Sequence, residues 1–204
     1  HFLPWKSTEK NGHSSLGVRA FITTSTDALQ WVNGIDLEYT AAWLKETQDQ
    51  EFSPNQPVGT HYDYDVDATV AAAYTQLRGD LSTRWSATAG ARLEYTRYDY
   101  DNRTSDGSAC TSDASNCRFF RPADRHDSFS DWSLNAASSY QLGDQQFIYL
   151  RAAHGFRAPQ ATELYRLQAG QSVADLDSEN MDSIEVGLRG HCLIHWPTTF
   201  RPTV

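Results

Sequence analysis

In one stretch of the sequence, Trp85 to Tyr100, apolar and polar side chains alternate as far as Thr96. One set of alternate residues is uncharged and has an aromatic at each end: Trp85, Ala87, Ala89, Ala91, Leu93 and Tyr95. The intervening set is polar and contains Arg92 and Glu94. A period of two predicts a β-strand whose two faces meet different environments. The stretch exceeds the roughly five or six residues usual in soluble strands. A tilted strand needs about 9–11 residues to cross a bilayer. The pattern therefore fits a membrane-crossing strand as well as an amphipathic strand of a soluble sheet.

The same alternation recurs along the chain. It predicts seven strands, at residues 16–22, 29–45, 62–77, 85–100, 129–142, 146–155 and 183–189. In the third strand, the set that begins Tyr62, Tyr64 and Val66 is expected to face lipid, and Asp63, Asp65 and Asp67 are expected to face the lumen. In the sixth strand the alternation is too weak to decide whether the odd-numbered or the even-numbered residues face lipid. Residues 1–13 are polar and are expected to be irregular.

The connections between the predicted strands are sorted by length. Those at 24–28, 78–81 and 143–145 are short, and those at 46–61, 101–127 and 156–179 are long. In a meander, every short connection then falls at one end and every long connection at the other, as in outer-membrane barrels. The faces assigned to lipid also carry no Asp, Glu, Lys or Arg between their terminal aromatics. The sequence therefore predicts an all-β antiparallel meander of about seven long strands that forms part of a transmembrane β-barrel.

Composition narrows the possible partners and the type of membrane segment. The formal net charge of −9 argues against a nucleic-acid partner. No run of about 18 apolar residues is present, so no transmembrane helix is predicted. The mean hydropathy of −0.60 is compatible with a barrel, because only alternate residues face lipid. The sequence opens at His1 without a leader, which makes a fragment or a processed chain the expectation.

Two of the three cysteines, Cys110 and Cys117, lie close together in a stretch rich in Ser, Asp and Asn. Such a pair predicts a disulfide that closes a short loop in an oxidising compartment. A metal site is the alternative there. A second possible cation site is formed by His61, Asp63, Asp65 and Asp67, although pairing with lumen arginines or with a plug is the favoured interpretation.

The segment from Gly155 to Glu179, GFRAPQATELYRLQAGQSVADLDSE, is followed by MDSIEVGLRG. With the stretches GIDLEY at Gly34–Tyr39 and GARLEYTRYDY at Gly90–Tyr100, it resembles the TonB-dependent outer-membrane receptors over roughly residues 15–190. The resemblance implies a 22-stranded barrel with an N-terminal plug, located in the outer membrane of a Gram-negative bacterium. It also implies import of a scarce ligand, most often a ferric siderophore and sometimes cobalamin, haem or a sugar. Energy comes from the TonB protein, which pulls on the plug.

The expected domain organisation follows from this resemblance. Residues 1–190 are expected to be a partial receptor barrel, and the plug domain is absent from them. Residues 191–204 lack alternation and contain two prolines, so they are expected to be an aberrant tail produced by a frameshift or a truncation. This piece alone is not expected to transport; the receptor function belongs to the parent protein.

No nucleophile elbow, phosphate loop or zinc signature is present, so the chain is not predicted to be an enzyme. The parent is predicted to import a ferric siderophore or a similar metal chelate. Its expected partners are outer-membrane lipid, the ferric chelate and TonB acting through the missing plug. The alternatives are a soluble carbohydrate-binding β-sandwich and a TonB-dependent receptor for a sugar or cobalamin.

Arginines in two long segments are the candidate ligand contacts, because a guanidinium offers a planar fork of donors to carboxylate and catecholate oxygens. The candidate residues are Arg121, Arg125, Arg157, Tyr165 and Arg166. For Arg157, Tyr165 and Arg166 the alternative is that these motif residues fix the loop geometry. No cofactor is predicted.

Overall fold

A computed structural model of the protein describes residues 6–110, 116–171 and 174–190. Seven long strands form one antiparallel sheet, in which each strand pairs with the next along the chain. The strands are β1 (Ser7–Ser25), β2 (Leu29–Gln48), β3 (Gly59–Ser82), β4 (Trp85–Asn102), β7 (Arg125–Gly143), β8 (Gln146–Arg157) and β10 (Glu179–Gly190). The prediction of an antiparallel meander of about seven long strands is confirmed.

The long connections carry structure of their own. Three short strands, β5 (Gly107–Ser108), β6 (Phe119–Arg121) and β9 (Leu167–Gln168), form a second sheet in the order β5-β6-β9. A single helical turn, α1 (Ala161–Tyr165), precedes β9. We refer to residues 103–110, 116–124 and 158–171 as the loop layer, because they pack together at one end of the long sheet.

The loop layer defines two faces of the sheet. Phe119, Leu164 and Leu167 of the layer pack in one buried cluster with Tyr64 and Tyr100 of the sheet. We call the covered side the inner face and the opposite side the outer face. Residues that oppose each other on neighbouring strands lie on the same face of the sheet. The pairing register therefore assigns each strand position to the inner or the outer face.

The outer face is apolar and exposed. Leu16, Leu93 and Ile184 are 74%, 67% and 80% exposed. Aromatic residues border this band at both ends of the strands: Trp31, Trp85 and Tyr140 near the short turns, and Trp43, Tyr95 and Trp132 nearer the long connections. Between them β2, β4 and β7 present no Asp, Glu, Lys or Arg on the outer face, whereas Asp182 of β10 lies on that face opposite His154. Exposed apolar surface costs about 25 cal/mol per Å² in water, so such a band suits a bilayer.

The prediction that the even-numbered residues of β3 face lipid is wrong. The register places Ala73 opposite both Leu93 and Ile35, and Asp65 opposite Trp43, so the odd-numbered residues of β3 belong to the outer face. Tyr62, Tyr64 and Val66 therefore lie on the inner face, where the loop layer buries them. Their apolar character reflects burial under the loops rather than contact with lipid. The middle of β3 is rich in alanine on both faces, which leaves the sequence without a sign of its parity.

Two strand boundaries also differ from the prediction. The turn expected at residues 78–80 is part of β3, and the chain reverses at Thr83 and Arg84 after a register shift near Asp80. The N-terminal segment is not irregular throughout, because β1 begins at Ser7 and pairs with the end of β2. This part of β1 is polar on both faces, so hydrophobic alternation gives no signal there.

The face that the sequence left undecided is settled by the register of β8. Ile148 and Leu150 oppose Tyr140 and Ser138, so they lie on the outer face. In the described part of the chain no helix is long and apolar enough to cross a membrane. The predicted aberrant tail at 191–204 lies outside the described residues, and its assignment stays a prediction.

Candidate functional site

The β5–β6 hairpin projects from the end of β4. In the structure Cys110 and Cys117 form a disulfide with their Cα atoms 5.7 Å apart. Asn102 anchors the base of the hairpin, because its Nδ2 donates to Asp106 Oδ1 at 3.0 Å and to the Pro122 carbonyl at 3.1 Å. The hairpin is thus fixed at both its tip and its base.

The two long connections that follow β4 and β8 form one packed unit. Strand β6 pairs with β9, which joins residues of the first connection to residues of the second. The ring of Tyr165 stacks on Tyr100 with centroids 4.3 Å apart. The hydroxyl of Tyr62 on β3 donates to the Leu167 carbonyl. These contacts hold the loop layer against the inner face of the sheet.

Arg157 ends β8 and bridges two carboxylates. Its Nη1 and Nη2 donate to the two oxygens of Glu163 at 3.2 and 3.1 Å, and its Nε donates to Glu179 Oε2 at 3.1 Å. Glu163 Oε2 also accepts the backbone N–H of Gln160 at 2.8 Å, in a capping box at the start of α1. Arg157 and this N–H hold the pKa of Glu163 below its ordinary value. The GFRAP and TELY segments are therefore joined by direct hydrogen bonds.

Arg166 connects the loop layer to β1 and β2. Its Nη1 lies 2.9 Å from Glu9 Oε2, its Nη2 donates to Glu46, and its guanidinium carbon lies 5.6 Å from the centroid of the Tyr62 ring. Burial opposes the charged form of Arg166, but Glu46 and Glu9 outweigh it and raise the pKa. This arginine is thus paired with carboxylates of the chain itself.

Arg125 and Tyr165 share one partner, Asp127 on β7. Arg125 donates to Oδ1, and the Tyr165 hydroxyl donates to Oδ2 at 2.8 Å. Tyr165 is completely buried, and burial together with its bond to Asp127 raises the pKa of its hydroxyl. The structure brings these two predicted residues together, whereas Arg157 and Arg166 lie at opposite ends of α1.

Arg121 differs from the other three arginines. It is only 9% exposed, and its Nη2 donates to the Ser108 carbonyl at 3.0 Å and to Ser105 Oγ at 3.4 Å. Its Nε is buried without a hydrogen-bond partner. Within the described ranges no carboxylate forms an ion pair with it. Burial lowers the pKa of this guanidinium, and Tyr100 and Asp106 only partly oppose that effect.

The partners of the predicted residues are what sequence reasoning missed. Glu46, Asp127 and Glu163 accept the arginines and the tyrosine, and Asn102 organises the hairpin. Only Glu163 had a local signal, because a Gln followed three residues later by a Glu is close to the capping-box pattern. Ligand contact by the five predicted residues stays a prediction.

The favoured interpretation of the β3 carboxylates as lumen residues is wrong. Asp63, Asp65 and Asp67 point outward near the end of the sheet that carries the long connections, and they are bonded to Lys45, Arg103 and Tyr39, respectively. His61 lies elsewhere, because a register shift in β2–β3 turns it inward, where it stacks on Phe119 and lies 3.3 Å from Glu46. Among the described residues no group of three or more His, Cys, Asp or Glu side chains is suited to a metal ion.

Below the loop layer, the inner face carries an ionic ladder across three strands. Asp36 on β2 accepts Arg19 of β1 at 2.8 Å and Arg92 of β4 at 2.5 Å, and Arg92 also donates to Glu94 at 2.6 Å. Arg92 crosses β3 at Ala72, whose small side chain leaves room for it. These four charged residues thus lie on the inner face behind the apolar band, as expected for a barrel lumen.

Comparison with known proteins agrees with this architecture. A family model described as "TonB dependent receptor-like, beta-barrel" matches residues 6–200. The fold is similar to the copper transporter OprC, with a TM-score of 0.69 and 16% identity over 93% of this chain and 29% of that one. It is also similar to the ferric yersiniabactin uptake receptor FyuA from Yersinia pestis (TM-score 0.59, 16% identity, 92% of this chain and 27% of that one).

A third similar structure is the ferric-catecholate import receptor Fiu from K12 E. coli, with a TM-score of 0.60 and 15% identity over 91% of this chain and 30% of that one. The chain thus spans less than a third of the length of these structures. No curated protein sequence matches the chain significantly. Receptors of the matched family reside in the outer membrane of Gram-negative bacteria, which agrees with the predominantly apolar outer face. The chain belongs to the TonB-dependent receptors, as part of their β-barrel.

Proposed function

We propose that the complete protein imports a metal chelate across the outer membrane, and that the chelate is a ferric siderophore or a ligand of the same chemistry. One observation carries the proposal. The two long connections after β4 and β8 fold back as a single packed layer on the inner face, whereas the outer face exposes a predominantly apolar band. This layer is an ordered recognition surface at the extracellular end of a barrel wall.

The similar structures support a metal-containing substrate. They include a copper transporter, a ferric yersiniabactin uptake receptor, a ferric citrate transporter and a ferric-catecholate import receptor. Transport belongs to the whole receptor, in which TonB would act through a plug domain. The predominantly apolar band of the outer face would contact the membrane lipid.

Arg121, Arg125, Arg157, Tyr165 and Arg166 are proposed to contact the chelate. Guanidinium groups stay charged and bind carboxylate and catecholate oxygens in a bidentate manner. Three of the arginines are bonded to carboxylates of the chain, so an anionic chelate would have to displace those carboxylates. Ligand binding would then loosen the contacts that hold the loop layer to the sheet.

Growth of a receptor-null strain under iron limitation tests the proposal. Full-length receptor should restore growth on at least one ferric siderophore, and Arg125→Ala or Arg157→Ala should reduce uptake of radiolabelled iron. The matched control is Arg97→Ala, because Arg97 lies on the outer face and is paired with Asp99. Restoration of cobalamin or sugar uptake without any iron-dependent growth would instead favour the other ligand classes.

A further inference from the structure

Arg121 is a buried cation that forms no ion pair with any residue that the structure describes. Its two side-chain hydrogen bonds go to a carbonyl and a hydroxyl, both neutral acceptors, and its Nε donor is unused. Removing a guanidinium from water without a counter-ion is costly, and proteins usually pair such a group with a carboxylate or a bound anion. Arg166 in the loop layer, and Arg125 and Arg157 at the strand ends beside it, follow that rule, whereas Arg121 forms no ion pair with a described residue.

A second unused donor lies nearby. Tyr100 is 3% exposed, and its hydroxyl has no hydrogen-bond partner in the described part of the protein. Tyr100 opposes Arg125 in the register of β4 and β7, and Arg125 lines one cleft together with Arg121. Buried hydroxyls are normally satisfied, and two unsatisfied donors in one neighbourhood call for an acceptor.

An open cleft gives access to this neighbourhood. It has a volume of about 710 Å³, and Arg121, Arg125 and His126 line it together with Asp106 and Asp124. Asp106 and Asp124 accept hydrogen bonds from Asn102 and keep their charge, but among the described residues neither forms an ion pair with Arg121. The cleft therefore gives access to a guanidinium that has no direct carboxylate partner in the part of the chain that the structure describes.

We propose that Arg121 is the binding site for an anionic oxygen group, such as a carboxylate, phosphate or catecholate oxygen, which enters through this cleft and accepts a second hydrogen bond from Tyr100. The oxygen belongs either to the transported chelate or to a free oxyanion. Only the first case rests on the proposed function. In that case Arg121 recognises the organic part of the chelate. The other arginines can bind it only after their ion pairs with carboxylates of the chain have broken.

The test uses full-length receptor purified in detergent, with two probes at constant ionic strength adjusted with chloride. The probes are radiolabelled inorganic phosphate and iron-55 ferric citrate. Because hydrogen bonds to charged groups contribute about 1.5–3 kcal/mol, Arg121→Gln should weaken binding by roughly tenfold or more, and Tyr100→Phe by a smaller factor. Arg97→Gln, on the outer face, should leave the affinity within about twofold of wild type, because screened surface charges contribute little.

Folding of each variant is checked by its heat-modifiable migration on gels. If Arg121→Gln does not fold, Arg121→Lys replaces it, because lysine keeps the charge and lacks the Nε donor of the fork. Binding of both probes that depends on Arg121 assigns the site to free oxyanions, and binding of ferric citrate alone assigns it to the chelate. Absence of binding by both probes, or wild-type affinity in the Arg121 variant, overturns the proposal.

Failure of this inference can be told apart from failure of the proposed function. Iron uptake and phosphate binding that are both unchanged by Arg121→Gln overturn the anion site and leave transport intact. Phosphate binding that depends on Arg121, in a receptor that restores uptake of no iron chelate, supports the anion site and overturns iron transport.

Discussion

Arg157 and Glu163 face each other across the bend that follows β8, with two parallel hydrogen bonds of 3.2 and 3.1 Å between guanidinium and carboxylate. The same guanidinium reaches Glu179 at the start of β10. One side chain thus connects the end of one strand, the first turn of α1 and the beginning of the next strand. This arrangement gives the GFRAP and TELY segments a structural reason to occur together.

Arg157→Gln should loosen the connection between β8 and β10. Hydrogen exchange of residues 158–171 is expected to accelerate several-fold, because the glutamine cannot bridge both carboxylates. Arg151→Gln is the matched control, since Arg151 lies on the same strand and approaches Glu185 of β10 only at 4.0 Å, away from the connection. Equal exchange in the two variants would show that Arg157 does not hold the connection.

The same connection should respond to acid. Because Arg157 and the Gln160 N–H lower the pKa of Glu163, its stabilising effect is fully present above the ordinary carboxyl pKa of about 4.3 and is lost as pH falls through the lowered value. Hydrogen exchange of residues 158–171, corrected for intrinsic rates, should therefore rise on acidification below that range. In Glu163→Gln the exchange should already be faster at neutral pH and should lack this acid-dependent step.

Cysteine labelling on intact cells tests the corrected parity of β3. Asp65→Cys is expected to react quickly with a membrane-impermeant maleimide, because Asp65 lies on the outer face near the end of the sheet that carries the long connections. Tyr64→Cys should react slowly, because Tyr64 is 3% exposed beneath the loop layer. Faster labelling of Tyr64→Cys than of Asp65→Cys would instead support the face assignment that the sequence pattern predicted.

Removal of the disulfide should affect the hairpin rather than the sheet. The loop-entropy model assigns roughly 2–3 kcal/mol of local order to a link across so short a loop. The double variant Cys110→Ser, Cys117→Ser should therefore be cleaved faster by protease in the β5–β6 hairpin, with unchanged insertion into membranes. Peptide mapping of the unreduced protein should recover the two cysteines as one linked species, and free thiols at both positions would refute the link.

The strands and their faces could be predicted from the sequence wherever alternate residues face lipid and water, because the two environments favour side chains of different polarity. Leu93, Trp132 and Ile184 all lie on the face that alternation assigned to them. The method failed at β3, where loop burial makes Tyr62 and Tyr64 apolar for a different reason. A period-two pattern reports that two faces differ, and it does not report which neighbour causes the difference.

The candidate site was much less accessible from sequence. Arg125, Arg157 and Arg166 could be selected by type and position, but the carboxylate partners of Arg166 are distant in sequence, because Glu46 lies 120 residues away and Glu9 lies farther still. Such pairs depend on the register of the sheet and on the packing of two separate connections. The unpaired state of Arg121 could not be deduced without knowing which carboxylates the fold places beside it.

Two neighbouring alanines on β8 test most directly whether this sheet is the wall of a membrane barrel. Ala152 lies on the outer face opposite Ala136, and Ala153 lies on the inner face opposite Asn135. In a refolding titration of the full-length receptor into lipid vesicles, Ala152→Arg should cost about 2–4 kcal/mol, because it places an arginine near the bilayer midplane. Ala153→Arg, which faces the lumen, should cost far less. Equal costs, or a larger cost for Ala153→Arg, would contradict the assignment of the outer face to lipid.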